Sequence, residues 1–110
     1  MITNQNSMKR LPAVEKTISQ INPKNDIRVR ILGTVIDNTD NIIMIDDGSG
    51  KAQINFEEHI DYVKEGQVVR IVARILPMID GFEYKGECVQ VLDNFDIKLY
   101  KDTMKIIKRC

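Results

Sequence analysis

The stretch Ile27-Arg-Val-Arg-Ile-Leu-Gly-Thr-Val-Ile36 decides the fold. Ile27, Val29, Ile31 and Val35 fall on one face and Arg28, Arg30 and Thr34 on the other, the period-two alternation of a half-buried strand. Gly33 interrupts the pattern where a bulge or sharp bend excludes bulkier residues. Outward from here the chain keeps the strand rhythm. Asp37-Asn-Thr-Asp40 is turn chemistry, because short polar side chains bond to their own backbone. Ile42-Ile-Met-Ile45 and Ala52-Gln-Ile-Asn-Phe56 are two short runs joined by Asp46-Asp-Gly-Ser-Gly50, whose glycines permit a tight reversal. Glu57 to Gly66 breaks the alternation, with Ile60 and Val63 spaced for a short helix and Gly66 as its stop. Val68 to Leu76 is long and β-branched, ends at Pro77, turns through Asp80-Gly81 and is answered by Phe82 to Leu92.

Three strands, a short helix and two more strands, with Gly33 and Gly86 inside the first and last, predict a mainly β fold, a five-stranded barrel of the oligonucleotide-binding (OB) type. Closure hides edges that an open five-stranded sheet would leave bare. The barrel occupies residues 27–92. Residues 1–26 form an N-terminal extension, in which Val14, Ile18 and Ile21 predict a short helix or an ordered arm plugging one barrel end. Residues 93–110 are predicted to form a C-terminal oligomerisation α-helix.

Composition narrows the function. The chain has 110 residues, 43% apolar and 29% charged, which suits one globular domain and excludes disordered or fibrous classes. No apolar run approaches the roughly 20 residues of a membrane span, and the polar start lacks the apolar segment of a secretory signal, so no membrane role and an intracellular location are expected. The cysteines, Cys88 and Cys110, are expected to be a reduced pair. The 16 basic and 16 acidic residues divide unevenly. From Ile27 to Leu92 there are seven basic and eleven acidic residues, so the barrel is acidic while both ends are basic.

The terminal helix carries more apolar surface than one neighbour can cover. Asp93-Asn94 supplies the N-cap, and Lys105, Lys108 and Arg109 crowd the last turn, where the helix dipole favours cations. Leu99 and Ile106 lie within about 40° of Phe95, while Ile97, Tyr100, Met104 and Ile107 fall about 120° to 200° away. The apolar arc is near 200°, about twice the stripe a surface helix needs. Seven such side chains represent on the order of 10 kcal/mol of burial, and the economical partner is another helix.

Ile42-Ile-Met-Ile-Asp-Asp-Gly-Ser-Gly-Lys51, followed by Phe95-Asp-Ile-Lys-Leu-Tyr-Lys-Asp-Thr-Met-Lys-Ile-Ile107, resembles the smallest subunit of replication protein A, a heterotrimeric single-stranded DNA-binding factor. The hairpin is shared by related barrels, including the middle subunit and telomere-capping relatives; the Phe-Asp-x-x-Leu-Tyr…Ile-Ile segment is the specific part. The resemblance implies an OB barrel whose terminal helix joins one helix from each of two larger subunits in a three-helix bundle. It assigns the subunit interface to Phe95, Leu99, Tyr100, Met104, Ile106 and Ile107. The extension through Leu11-Pro-Ala-Val14 matches no element of that family.

Single-strand binding requires a basic groove with aromatic platforms. The candidates are Lys51, Gln53 and Asn55 on the third strand, Arg70 and Arg74 on the fourth, and Phe82 and Tyr84 on the fifth. A solvated sheet face explains them as well, and the turn Met78-Ile79-Asp80 offers no cation. His59 is the only histidine, the cysteines lack zinc-site spacing and no Gly-rich phosphate loop precedes a helix, so neither metal nor cofactor nor small-molecule substrate is expected. Asp46 and Asp47 at a strand end point to opposite faces and make a poor acid/base pair. The chain is therefore expected to be a non-enzymatic subunit of a replication protein A-type complex in DNA replication, repair and recombination. It would meet single-stranded DNA mainly through that complex, in the nucleus of a eukaryote or the nucleoid of an archaeon. The alternatives are an autonomous nucleic-acid-binding OB protein, alone or as a homodimer, and an accessory domain of an RNA-modifying enzyme.

Overall fold

The computed structural model describes residues 12–92. The six strands are β1 (Val14–Glu15), β2 (Arg28–Thr39), β3 (Ile42–Asp46), β4 (Lys51–Asn55), β5 (Val68–Met78) and β6 (Gly81–Val91). They follow the order β1-β2-β3-β4-β6-β5, and β5 pairs back onto β2. Strands β2 to β6 thus close a five-stranded barrel in the predicted OB arrangement, with β1 added outside it. All barrel pairings are antiparallel except β4 with β6.

Closure depends on β2 serving two neighbours. Its first half, Arg28 to Thr34, pairs with β5, and its second half, Thr34 to Thr39, pairs with β3. The exchange falls at Thr34, next to Gly33, where a Cβ would lie 3.1 Å from the backbone oxygen of Asp46. The predicted distortion is present, displaced by a few residues: the β2 bulge lies between Val35 and Asp37. The alternation read from the sequence fills the interior with Val29, Ile31 and Val35, joined by Ile43, Ile45, Ile54, Val69, Ile71 and Val89. Ile27, one residue before β2, is exposed instead.

Three expectations are corrected. Residues 57–66 form turns, not a helix. The carbonyls of Ile60 and Val63 accept hydrogen bonds from Asn38 Nδ2 at 2.8 and 2.7 Å, so a side chain from β2 holds backbone groups that a helix would have used. Gly66, at φ +91°, is a turn residue as its placement required. The first hairpin turn is shorter than predicted, because β2 continues through Thr39 and only Asp40-Asn41 reverse the chain, with Asp40 at φ 56°. Cys88 is disulfide-bonded rather than reduced; nearness in space, which sequence spacing does not report, decides such a bond. Cys110 lies outside the described residues.

The N-terminal extension is an ordered arm. β1 pairs in parallel with β2, Val14 against Val29, and a single 3-10 turn at Ile18–Gln20 stands where a helix was one option. Ile18 and Ile21 pack against the core. The terminal helix and its interface residues, Phe95, Leu99, Tyr100, Met104, Ile106 and Ile107, lie outside the described residues.

Gly86 is the tightest glycine. A Cβ there would collide with Cε2, Cζ and Cδ2 of the Phe56 ring, a buried core side chain. Gly86→Ala is expected to lower unfolding free energy by about 1–3 kcal/mol in urea titration, whereas Gln53→Ala on an exposed face stays within about 0.5 kcal/mol of the parent.

Candidate nucleic-acid interface

Strands β4 and β6 meet over only two residue pairs, Ile54 with Tyr84 and Asn55 with Lys85. Toward the starts of both strands the seam opens into a cleft of about 620 Å³, lined by β4, the β5–β6 turn and the first residues of β6. The cleft brings together five of the seven sequence candidates: Lys51, Gln53, Asn55, Phe82 and Tyr84. Lys51 and Gln53 are exposed on β4 because Ala52 and Ile54 alternate with them into the core. Met78, Ile79, Asp80 and Glu83 complete the wall.

The other two candidates sit elsewhere. Arg74 borders a second cleft of about 460 Å³ with Lys85, Glu57, Glu58 and Glu87. Its Nε is 3.2 Å from Glu87 Oε2, and Arg28 Nε donates to Glu87 Oε1 at 2.7 Å. Arg28 and Arg74 face each other across the β2–β5 ladder, and the β6 bulge sets Glu87 between the two guanidinium groups. Arg70 is half-buried opposite Leu32 and Gln90 and lines neither cleft.

The aromatic pair is unequal. Phe82 and Tyr84 make an edge-to-face contact with centroids 5.1 Å apart. Tyr84 is only 9% exposed and belongs to the core cluster, so its ring supports the floor of the cleft more than it offers a face. Burial, then the charge of Asp47, raises its phenol pKa above the ordinary value and keeps it neutral. Phe82 is the half-buried ring left for stacking. Lys85 escaped the sequence reading. Its register beside both Asn55 and Arg74 places it on the ridge between the clefts, a position that only the β4–β6 pairing reveals.

Asp46 and Asp47 are committed to backbone. Asp46 Oδ1 accepts from Gly48 N at 2.8 Å. Asp47 accepts from Ile18 N at 2.7 Å and, within its own loop, from Ser49 N, Ser49 Oγ and Gly50 N. Ser19 N donates to Ser49 Oγ at 3.0 Å, so the loop clamps the N-terminal arm onto the barrel. Burial disfavours the Asp47 charge, but the hydrogen bonds from Ile18, Ser49 and Gly50 outweigh it and hold its pKa below the ordinary value. Among the described residues, no group of three or more His, Cys, Asp or Glu side chains is arranged to hold a metal ion, and no helix is long and apolar enough to cross a membrane.

No protein-family model matches the sequence, and no curated protein does. Solved structures share the fold. The telomere capping protein Ten1 from S. pombe superimposes with a TM-score of 0.62 at 21% identity, over 84% of this chain and 93% of that one. A chain of a replication protein A heterotrimer bound to ssDNA matches with a TM-score of 0.57 at 8% identity, over 74% and 71%. A chain of the S. pombe Stn1–Ten1 complex matches with a TM-score of 0.54 at 17% identity, over 73% and 75%.

The depressed Asp47 pKa makes the arm clamp acid-sensitive. Its contribution is complete above the unfolded-state value of about 3.9 and is lost as pH falls through the lower folded value. Hydrogen exchange at the Ile18 amide should report protection at about pH 5 that disappears as the carboxylate protonates. Asp47→Ala should remove that protection at neutral pH and destabilise the domain by about 1–3 kcal/mol.

Proposed function

We propose that this chain is the small assembly subunit of a multi-subunit single-stranded DNA-binding complex, in which larger partners supply most of the DNA contact. The composition of the β4–β6 cleft carries this proposal. A groove offering Lys51 against Asp80 and Glu83, with one accessible aromatic ring, is a weak platform for a polyanion. The barrel geometry it shares with chains of a replication protein A heterotrimer bound to ssDNA and of the Stn1–Ten1 complex supports a subunit role. Within this proposal the chain acts in the manner of the smallest replication protein A subunit, in replication, repair and recombination. Its residues 93–110 join a three-helix bundle through Phe95, Leu99, Tyr100, Met104, Ile106 and Ile107. It is a binding module rather than an enzyme, supported by the commitment of Asp46 and Asp47 to backbone amides. Its location is with chromosomal DNA, nuclear in a eukaryote and nucleoid-associated in an archaeon.

A second version, a telomere-capping subunit, is favoured by the likeness to Ten1, which spans 93% of that chain. The two versions differ in partners and in the DNA they protect, not in the subunit's own physical task.

The isolated chain is expected to bind a labelled oligothymidylate more weakly than about 1 μM at physiological salt, with tight binding instead supporting an autonomous protein. Leu99→Asp or Ile106→Asp should abolish co-purification with the partner subunits from the native host while the circular dichroism of the barrel is unchanged. Unchanged co-purification would count against the bundle.

A further inference from the structure

The cleft between β4 and β6 has two walls made of strand edge. Among the described residues, Lys51 to Gln53 of β4 pair only with β3, and Gly81 to Glu83 of β6 pair only with β5. Both strands therefore present unpaired ladder groups to the same opening, and such edges in native proteins are blunted, covered or used. Each edge carries one charge, Lys51 on β4 and Glu83 on β6, and is otherwise open. No proline or bulge interrupts either segment, and the hairpin tip beside them is apolar, with Ile79 100% and Met78 53% exposed.

We infer that this cleft accepts one extended polypeptide strand contributed by a partner subunit, hydrogen-bonded to both edges and gripped by Met78, Ile79 and Phe82. The inference rests on the assembly role proposed above in taking the strand from a partner. Because β4 and β6 run parallel to each other, a single inserted strand can lie antiparallel to both and form the straighter ladder on each side. Backbone bonds then supply affinity, and the apolar tip supplies a pocket for alternate side chains. Met78 is an adaptable surface for such contacts. Charge selects polypeptide over nucleic acid: a phosphodiester chain would lie against Asp80 and Glu83 with only Lys51 opposing them, whereas a strand bearing lysine or arginine pairs with those carboxylates.

The test uses the complex purified from its native host, with the photoreactive residue p-benzoylphenylalanine placed in turn at Ile79 and Gln53, and at Lys64 as a remote control. Both cleft positions are expected to crosslink to one contiguous partner segment, insensitive to nuclease, while Lys64 does not. Amides of residues 51–53 and 81–83 are expected to exchange more slowly in the complex than in the free chain. Ile79→Asp, at a fully exposed site that the fold does not need, should speed dissociation of the partner on the order of tenfold. Nuclease-sensitive crosslinks would assign the cleft to DNA and overturn the inference. Crosslinks to residues 1–11 or 93–110 of the same chain, or equal amide exchange in both states, would also overturn it. If Leu99→Asp disperses the complex while the cleft positions stay silent, the strand site fails and the assembly role stands. If no complex is recovered, both fail.

Discussion

The structure depends on one strand being shared. β2 hands its ladder from β5 to β3 at Thr34, and at the adjoining Gly33 the Asp46 carbonyl comes within 3.1 Å of where a Cβ would stand, so the position favours glycine. With β2 bent through this point the barrel closes on the β2–β5 side along seven residue pairs. The closure must be completed on the opposite side, where β4 is only five residues long and meets β6 over two pairs. A short strand set against an eleven-residue one cannot pair along its whole length after the twist that closure imposes. The cleft is therefore a geometrical consequence of the strong seam at β2, and the residues lining it are whatever β4, β6 and the β5–β6 turn present.

Excess acidity in the barrel segment has a structural explanation. Asp47 and Asp46 order the β3–β4 loop, and Glu87 separates two arginines that the ladder sets face to face; in the extension just before the barrel, Asp26 likewise accepts from Asn22 N at 2.7 Å and pairs with Lys16. The backbone bond from Asn22 lowers the Asp26 pKa, with burial opposing and Lys16 assisting. Amides at Asn38 and Asn41 do comparable work without charge: Asn41 exchanges bonds with the backbone of Phe56, and Asn38 fastens the 57–66 segment over the barrel end near Val63. In short loops of a small barrel, carboxylates and amides replace the hydrogen bonds that a covering helix would provide.

The sequence made the strand pattern legible because burial on one face of a strand writes itself at period two, and β-branched residues occupy those positions from Val29 to Val89. Turn boundaries were less legible. Asp37, Asn38 and Thr39 read as loop by residue type, yet the pairing with β3 holds them in the strand. The 57–66 segment carried a helical spacing at Ile60 and Val63, but a tertiary bond from Asn38, 22 and 25 residues away, overrode it. Of the five cleft residues, Lys51, Gln53 and Asn55 were found from outward alternation, and Phe82 and Tyr84 from residue type. Tyr84 satisfied that search by type while its register opposite Ile54 and Ile75 directs it into the core, and Lys85 was missed because the parallel β4–β6 pairing has no local signature.

Energetics bear on whether the β4–β6 cleft could bind single strands unaided. Micromolar affinity requires about 8 kcal/mol, and each stacked base contributes about 1–3 kcal/mol. Phe82 offers one platform, Tyr84 is committed to the interior, and Arg74 is shared with Glu87. Phosphate contacts add affinity in proportion to the net cations along a path, and here Asp80 and Glu83 oppose Lys51 within the cleft. One stack and a cancelled charge leave this cleft several kcal/mol short of that affinity. Under the assembly role proposed above, affinity for a nucleic acid strand comes mainly from other chains, and the cleft's weak platform is consistent with that division.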